Sequence, residues 1–241
     1  RLETKRLEAL VEESISFIEL QDADGGLARQ AFAIYEASFP PAERDPIEDL
    51  VELIQRSALG RVDQETNFRF FVGVSGEEVL GLAVYTYHAR LRLGYLAYLA
   101  TTAVFRSQGL GSWMFTQTID RLRREAEEPP LGMCWEVERP SDIQDAHESQ
   151  LAERRIRFYQ RNGSILLPDI DLLTPALADD LPEVQYHLMY YPLENAVEVG
   201  AEQVQSLIDL ILLEGYGVSR DSHYYQRAIR SISETVYARP D

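Results

Sequence analysis

Arg106-Ser107-Gln108-Gly109-Leu110-Gly111 separates the apolar stretch Tyr95 to Phe105 from a helical pattern that begins near Leu110. Two glycines let backbone approach a ligand closely, the free N–H groups at a helix start favour anions, and Arg106 adds a fixed positive charge. These features predict a phosphate cradle at a strand-to-helix junction. Spacing excludes two familiar cradles. A Walker loop needs a Gly-Lys pair, and the chain has none; a dinucleotide fingerprint needs a third glycine where Met114 stands. A Gly-x-Gly at such a junction also serves simply as a tight turn.

A second segment bears on that choice. The pattern R-x-x-G-x-G after a strand resembles the pyrophosphate loop of the GNAT superfamily of N-acetyltransferases. About fifty residues downstream, Arg157-Phe158-Tyr159-Gln160-Arg161-Asn162-Gly163 resembles the aromatic helix end of the same superfamily, with a strand candidate, Leu131 to Val137, between the two. The resemblance spans roughly Ser14 to Pro192 and is densest between Tyr95 and Gly163.

Hydrophobic periodicity supplies the elements around these motifs. Strands are expected over Ser14 to Leu20, Phe68 to Val74, Val79 to Tyr87, Tyr95 to Val104, Leu131 to Val137, Gly163 to Thr174 and Val184 to Tyr191. Helices are expected over Leu27 to Ser38, from Asp45-Pro46 to Ala58, from the loop to Pro129-Pro130, and from His147 to Asn162 with Gly163 as its stop. The helix after the loop carries Phe115, Ile119, Leu122 and Ala126 on one stripe. The fold class is α+β. The resemblance implies a mixed, mostly antiparallel central sheet flanked by helices.

Two more helices, Gly200 to Glu214 and Asp221 to Val236, lie beyond the superfamily's usual end. The expected organisation is therefore a catalytic domain over 1–195 and a helical C-terminal extension over 196–241. The stripe Val204, Leu207, Ile208, Ile211 and Leu212 is expected to pack on the core or at a subunit interface, as in a homodimer.

Composition narrows the function. The 241 residues are 45% hydrophobic, enough for a substantial core, and no apolar run approaches a membrane span. With a charged rather than signal-like start, this predicts a cytoplasmic chain. The net charge of −17 argues against nucleic acid and suits cationic partners. Cys134 is the only cysteine and the four histidines are scattered, so no disulfide and no metal site are expected.

The resemblance implies acetyl-CoA as co-substrate and an N-acetyltransferase as the activity. It places Leu99, Ala100 and Thr101 along the pantetheine arm and wraps Arg106, Ser107, Gln108, Gly109, Leu110 and Gly111 around the pyrophosphate. The superfamily often has Val at Thr101, Pro at Ala103 and Gly at Ser107. Because these contacts are largely main-chain, the departures are compatible with the role. Tyr159 is the candidate general acid, since a phenol with a pKa of about 10 can protonate the leaving thiolate. An amphipathic core aromatic is its other role.

An alkylamine acceptor is mostly protonated at neutral pH, so a carboxylate must take its proton. Glu136 and Glu138 share one face of a strand, and Glu138, nearer the strand's C-terminal end, is the preferred base. Glu43, Arg44, His88 and the tyrosines 186, 190 and 191 are weaker candidates for an acceptor wall. The expected reaction is acetyl transfer to a primary amine of a small molecule. An acyl-CoA sensor without turnover, or a transferase using a longer acyl chain, shares the same loop.

Overall fold

The computed structural model describes residues 15–60, 66–105, 108–178, 181–193, 198–233 and 237–238. The chain forms two compact units, one from Arg1–Ala89 with Leu96–Glu127, the other from Arg90–Tyr95 with Glu128–Asp241.

In chain order the elements are β1 (Ser16–Glu19), α1 (Gly26–Ser38), α2 (Ile47–Ala58), β2 (Thr66–Ser75), β3 (Glu78–His88), β4 (Leu93–Thr101), α3 (Leu110–Glu125), β5 (Gly132–Glu138), α4 (Ala146–Arg161), β6 (Ile165–Thr174) and β7 (Val184–Pro192). They are followed by β8 (Glu198–Val199), α5 (Ala201–Ile208), a π-helical stretch (Asp209–Gly215), α6 (His223–Arg230) and β9 (Tyr237–Ala238). Seven strands make one mixed sheet in the order β1-β2-β3-β4-β5-β7-β6. The β1–β2, β2–β3, β5–β7 and β6–β7 pairs are antiparallel, whereas β4 and β5 run parallel. The expected mixed sheet flanked by helices is the observed one.

In the first unit, β2 and β3 are nearly continuous apolar runs because both of their faces are covered. Gly76 at φ 60° makes the tight turn between them. The face holding Phe70, Val72, Leu82, Val84, Tyr98 and Ala100 packs on Phe32 and Tyr35 of α1 and Leu50 and Ile54 of α2. Full burial of one such side chain stabilises the fold by about 1.5–3 kcal/mol. Phe39-Pro40 ends α1, since proline cannot donate the next helical hydrogen bond.

In the second unit, Asp145 caps α4: its Oδ1 accepts from the N–H groups of His147 and Glu148, both at 2.9 Å. Gly163, at φ 89°, follows the helix as its left-handed stop. Leu167, Leu172 and Leu188 of β6 and β7 share one buried cluster with Val204, Leu207, Ile208, Ile211 and Leu212 of the C-terminal segment.

Several element boundaries differ from expectation. β4 begins at Leu93, not Tyr95, and ends at Thr101, before a 3₁₀ turn over Ala103–Phe105. Ala126 lies just past α3 in extended backbone, so the apolar stripe stops at Leu122. The helix drawn to Glu214 is regular only to Ile208, where the hydrogen bonding widens to π. The last helix is shorter than expected, His223–Arg230, and the 234–236 part of the expected one lies outside the described residues. No helix among the described residues is long and apolar enough to cross a membrane.

Candidate donor and acid–base sites

The donor candidates belong to the first unit. Leu99, Ala100 and Thr101 end β4, with Ala100 buried and its neighbours half-buried. Among the described residues, the parallel register with β5 joins Leu93, Gly94 and Tyr95 to Gly132, Met133 and Cys134. The three donor candidates come after it. On the neighbouring strand, Gly81 lets the β4 backbone come close. A Cβ at position 81 would lie 2.5 Å from the Ala100 carbonyl oxygen and 3.2 Å from the Thr101 Cα. Thr102 N then donates to Leu80 O at 2.8 Å.

The chain next tightens into the 3₁₀ turn. Gln108 ties itself to that turn, its N–H donating to Phe105 O at 3.3 Å and its Nε2 to Val104 O at 2.7 Å. Gly109 takes φ 90°, a left-handed conformation that a side chain would strain, and from there α3 begins. The start of α3 has no side-chain cap and no acidic residue in its first turn. Its first N–H groups thus lack intrahelical partners and carry the positive end of the helix dipole. Leu110 is 1% exposed, so its side chain anchors the helix and only its backbone faces this site. Arg106 and Ser107 lie outside the described residues.

The acid–base candidates belong to the second unit. Tyr159 sits in the last full turn of α4, 7% exposed, its ring 4.6 Å from Trp135 of β5 and 4.9 Å from Phe158. Burial pushes its phenol up to about 12, which keeps the proton on the oxygen at neutral pH. Glu138, at the end of β5, is held by Arg155 of α4 at 2.6 Å.

Glu136 has a different environment. It is half-buried and accepts a hydrogen bond from the Tyr95 hydroxyl at 3.3 Å. Burial pushes its carboxyl up to about 7, against the opposing pull of hydrogen bonds from Tyr95, its own backbone and Tyr216. It therefore changes charge near neutral pH. Tyr95 and Tyr216 were not among the sequence candidates. Tyr95 had a local signal, lying in the strand that leads to the loop, whereas Tyr216 comes from sequence far away and had none.

The weaker candidates have structural partners. Arg44 donates to the carbonyls of Glu36 and Phe39, at 2.9 and 3.2 Å, closing the end of α1. His88 is buried beside Thr66 and Thr86 at 3.4 and 3.1 Å. Tyr190 donates to Leu131 O at 2.8 Å. Tyr98, which the sequence did not single out, donates to Asp45 Oδ2 at 2.8 Å and accepts from Asp45 N at 3.0 Å. With Tyr35 donating to Asp45 O at 3.0 Å, it pins the segment between α1 and α2 to β4. Asp145, His147 and Glu148 lie close enough to meet at one cation, yet all three are exposed and the Asp145 carboxylate is already the cap of α4.

Comparison with known proteins adds the family. Residues 28–140 match the Acetyltransferase (GNAT) family. A GNAT-family structure from Bacteroides thetaiotaomicron is 24% identical, with a TM-score of 0.61, covering 85% of this chain and 100% of that one. A GNAT-family structure from Desulfovibrio desulfuricans is 16% identical, with a TM-score of 0.51 and coverages of 75% and 99%. A spermidine N-acetyltransferase chimera from Vibrio cholerae and hSSAT is 12% identical, with a TM-score of 0.52 and coverages of 74% and 95%. These structures share its fold. No curated protein matches the chain in sequence. The matched residues include β4, the loop and α3, and end just before the helix bearing Tyr159, so over 28–140 the chain is similar to the GNAT acetyltransferase family, whose general chemistry is acyl transfer from acetyl-CoA to an amine.

Proposed function

We propose that this chain is an acetyl-CoA-dependent N-acetyltransferase that modifies a primary amine of a small molecule, in the cytoplasm. The observation that carries the donor assignment is the start of α3. Left-handed Gly109 leads into an uncapped, acid-free helix whose first N–H groups are available to an anion. In this reading Gln108, Gly109, Leu110 and Gly111, with Arg106 and Ser107, hold the pyrophosphate. The backbone of Leu99, Ala100 and Thr101 carries the pantetheine arm. The 1–195 part is the catalytic domain and 196–241 its extension.

Of the two strand acids, Glu136 has the stronger physical case as base. Glu138 already has an oxygen engaged by Arg155 at 2.6 Å. Glu136 holds a proton up to about pH 7, close to the pH at which it must both accept and release one. The carboxylate of Glu136 takes the amine's proton, and the neutral nitrogen attacks the thioester carbon. As the carbon–sulfur bond breaks, the attacking nitrogen gives its remaining extra proton to solvent and the Tyr159 phenol protonates the leaving thiolate, to be reprotonated from solvent in turn. The net charge of −17 favours a cationic acceptor.

Calorimetry with acetyl-CoA and free-thiol release across a panel of small amines test this function. We expect binding and amine-dependent release. Binding without release on any amine would leave an acyl-CoA sensor, tighter binding of a longer acyl-CoA would change the donor, and absence of binding would overturn the assignment. A Tyr159→Phe variant should keep acetyl-CoA affinity and lose at least tenfold in kcat, in line with the usual contribution of about 10²–10⁴ from general acid–base catalysis. Unchanged kcat would remove Tyr159 from the mechanism.

A further inference from the structure

In the first unit, the segment between α1 and α2 delivers one half-buried carboxylate to the donor strand. Asp45 Oδ2 accepts from the Tyr98 hydroxyl at 2.8 Å, and that hydroxyl accepts from Asp45 N at 3.0 Å. Tyr35 donates to Asp45 O at 3.0 Å, so side chain and backbone are both fixed. The carboxylate has no part in starting α2, which lacks a side-chain cap. Its neighbour Arg44 is turned to the end of α1, donating to Glu36 O at 2.9 Å and Phe39 O at 3.2 Å, with Glu36 Oε1 at 3.6 Å. Among the described residues, no Arg, Lys or His pairs with Asp45.

A carboxylate taken partly out of water costs free energy unless an opposite charge compensates it. Here one phenol hydrogen bond does part of that work, and the surroundings are aromatic. The rings of Tyr35, Phe39 and Tyr98 pack with centroids 4.8, 4.9 and 5.6 Å apart. Tyr35 and Tyr98 are buried, whereas Phe39 is half-buried like the carboxylate itself. A fixed carboxylate beside aromatic rings suits an ammonium group, through the ion pair and through attraction to a ring face. Its place on the strand narrows which ammonium. Tyr98 and Ala100 share one face of β4, two residues apart, or about 7 Å along the strand. The carboxylate is therefore anchored directly beside the residues assigned to the pantetheine arm.

We propose that Asp45, held by Tyr98, is a specificity-determining residue that binds a second, protonated nitrogen of the acceptor, so that the favoured substrates are linear diamines rather than monoamines. This rests on Leu99, Ala100 and Thr101 carrying the donor. A diamine whose nitrogens have pKa values of about 10 arrives doubly charged at neutral pH. One nitrogen must lose its proton before it attacks. The other keeps its charge and needs an anion, which Asp45 provides.

The test is Asp45→Asn in the full chain, since asparagine keeps an oxygen to accept from Tyr98 and removes only the charge. Calorimetry, with and without CoA, compares diaminobutane, diaminohexane and diaminooctane, each against the monoamine of the same chain. We expect wild type to bind at least one diamine about tenfold or more tightly than its monoamine, and Asp45→Asn to erase that preference. Glu48→Gln, which takes the same charge from the exposed first turn of α2, should keep it. A wild type without the preference, a preference that survives in Asp45→Asn, or an equal loss in Glu48→Gln overturns the ammonium site. Thiol release reports separately on the transferase. Absence of release with every amine would sink that activity, while a diamine preference lost only in Asp45→Asn would still establish the site.

Discussion

Replacing Glu136 with glutamine should change how the stability of this protein depends on pH, in a direction the structure dictates. The folded chain holds the Glu136 proton up to about pH 7, against an ordinary value of 4.5. A group whose folded pKa lies above its unfolded one stabilises the fold in its protonated form. That contribution is fully present below about pH 4.5 and is lost as pH rises through about 7. Converted at 1.36 kcal/mol for each pH unit, the difference is about 3 kcal/mol. Glutamine is neutral at every pH and keeps an oxygen to accept from Tyr95. Urea unfolding of wild type and Glu136→Gln at several pH values between 5 and 8.5 measures the effect. Wild type should lose up to about 3 kcal/mol relative to the variant across that window, most steeply between about pH 5 and 7 and levelling off above it. A stability difference that stays constant over the whole range would refute a carboxyl that ionises late, and with it the main argument for Glu136 as base.

Gly81→Ala should destabilise the first unit by about 1–3 kcal/mol in chemical denaturation, because the new Cβ meets the Ala100 carbonyl oxygen at 2.5 Å and the strand must give way. If the end of β4 holds the donor, calorimetry will also show weaker acetyl-CoA binding. Tyr98→Phe strips Asp45 of both of its hydrogen bonds to that phenol and should cost about 1–3 kcal/mol, read as a lower Tm. Leu207→Ala opens a cavity at a fully buried position and should cost about 2–5 kcal/mol in the same measurement; a change below 0.5 kcal/mol, well short of that, would show that the C-terminal segment adds little to the core.

The motifs around the loop were legible because each rests on local backbone physics. A glycine that must take φ 90° before a helix, a proline pair that must end one, and an alternation that buries one face of a strand are all written within a few residues. The hairpin at Gly76 and the stop at Gly163 were readable for the same reason. The end of β4 was less so, since apolar residues continue through Val104 while the backbone has already turned into the 3₁₀ segment that Gln108 holds. The π-helical stretch was invisible, because Asp209 to Gly215 has the apolar spacing of an ordinary helix.

By itself, then, the sequence determined an α+β chain with a glycine-bearing strand-to-helix junction, and its family resemblance implied acetyl-CoA as the donor. It also offered two strand acids on one face and preferred Glu138 on its position along the strand alone. Only the tertiary structure gave them different surroundings, setting Arg155 against Glu138 and the Tyr95 phenol beside Glu136. The physical reason is that a carboxyl's proton affinity is set by burial and by the charges and donors around it, and those arrive from strands and helices far apart in the chain.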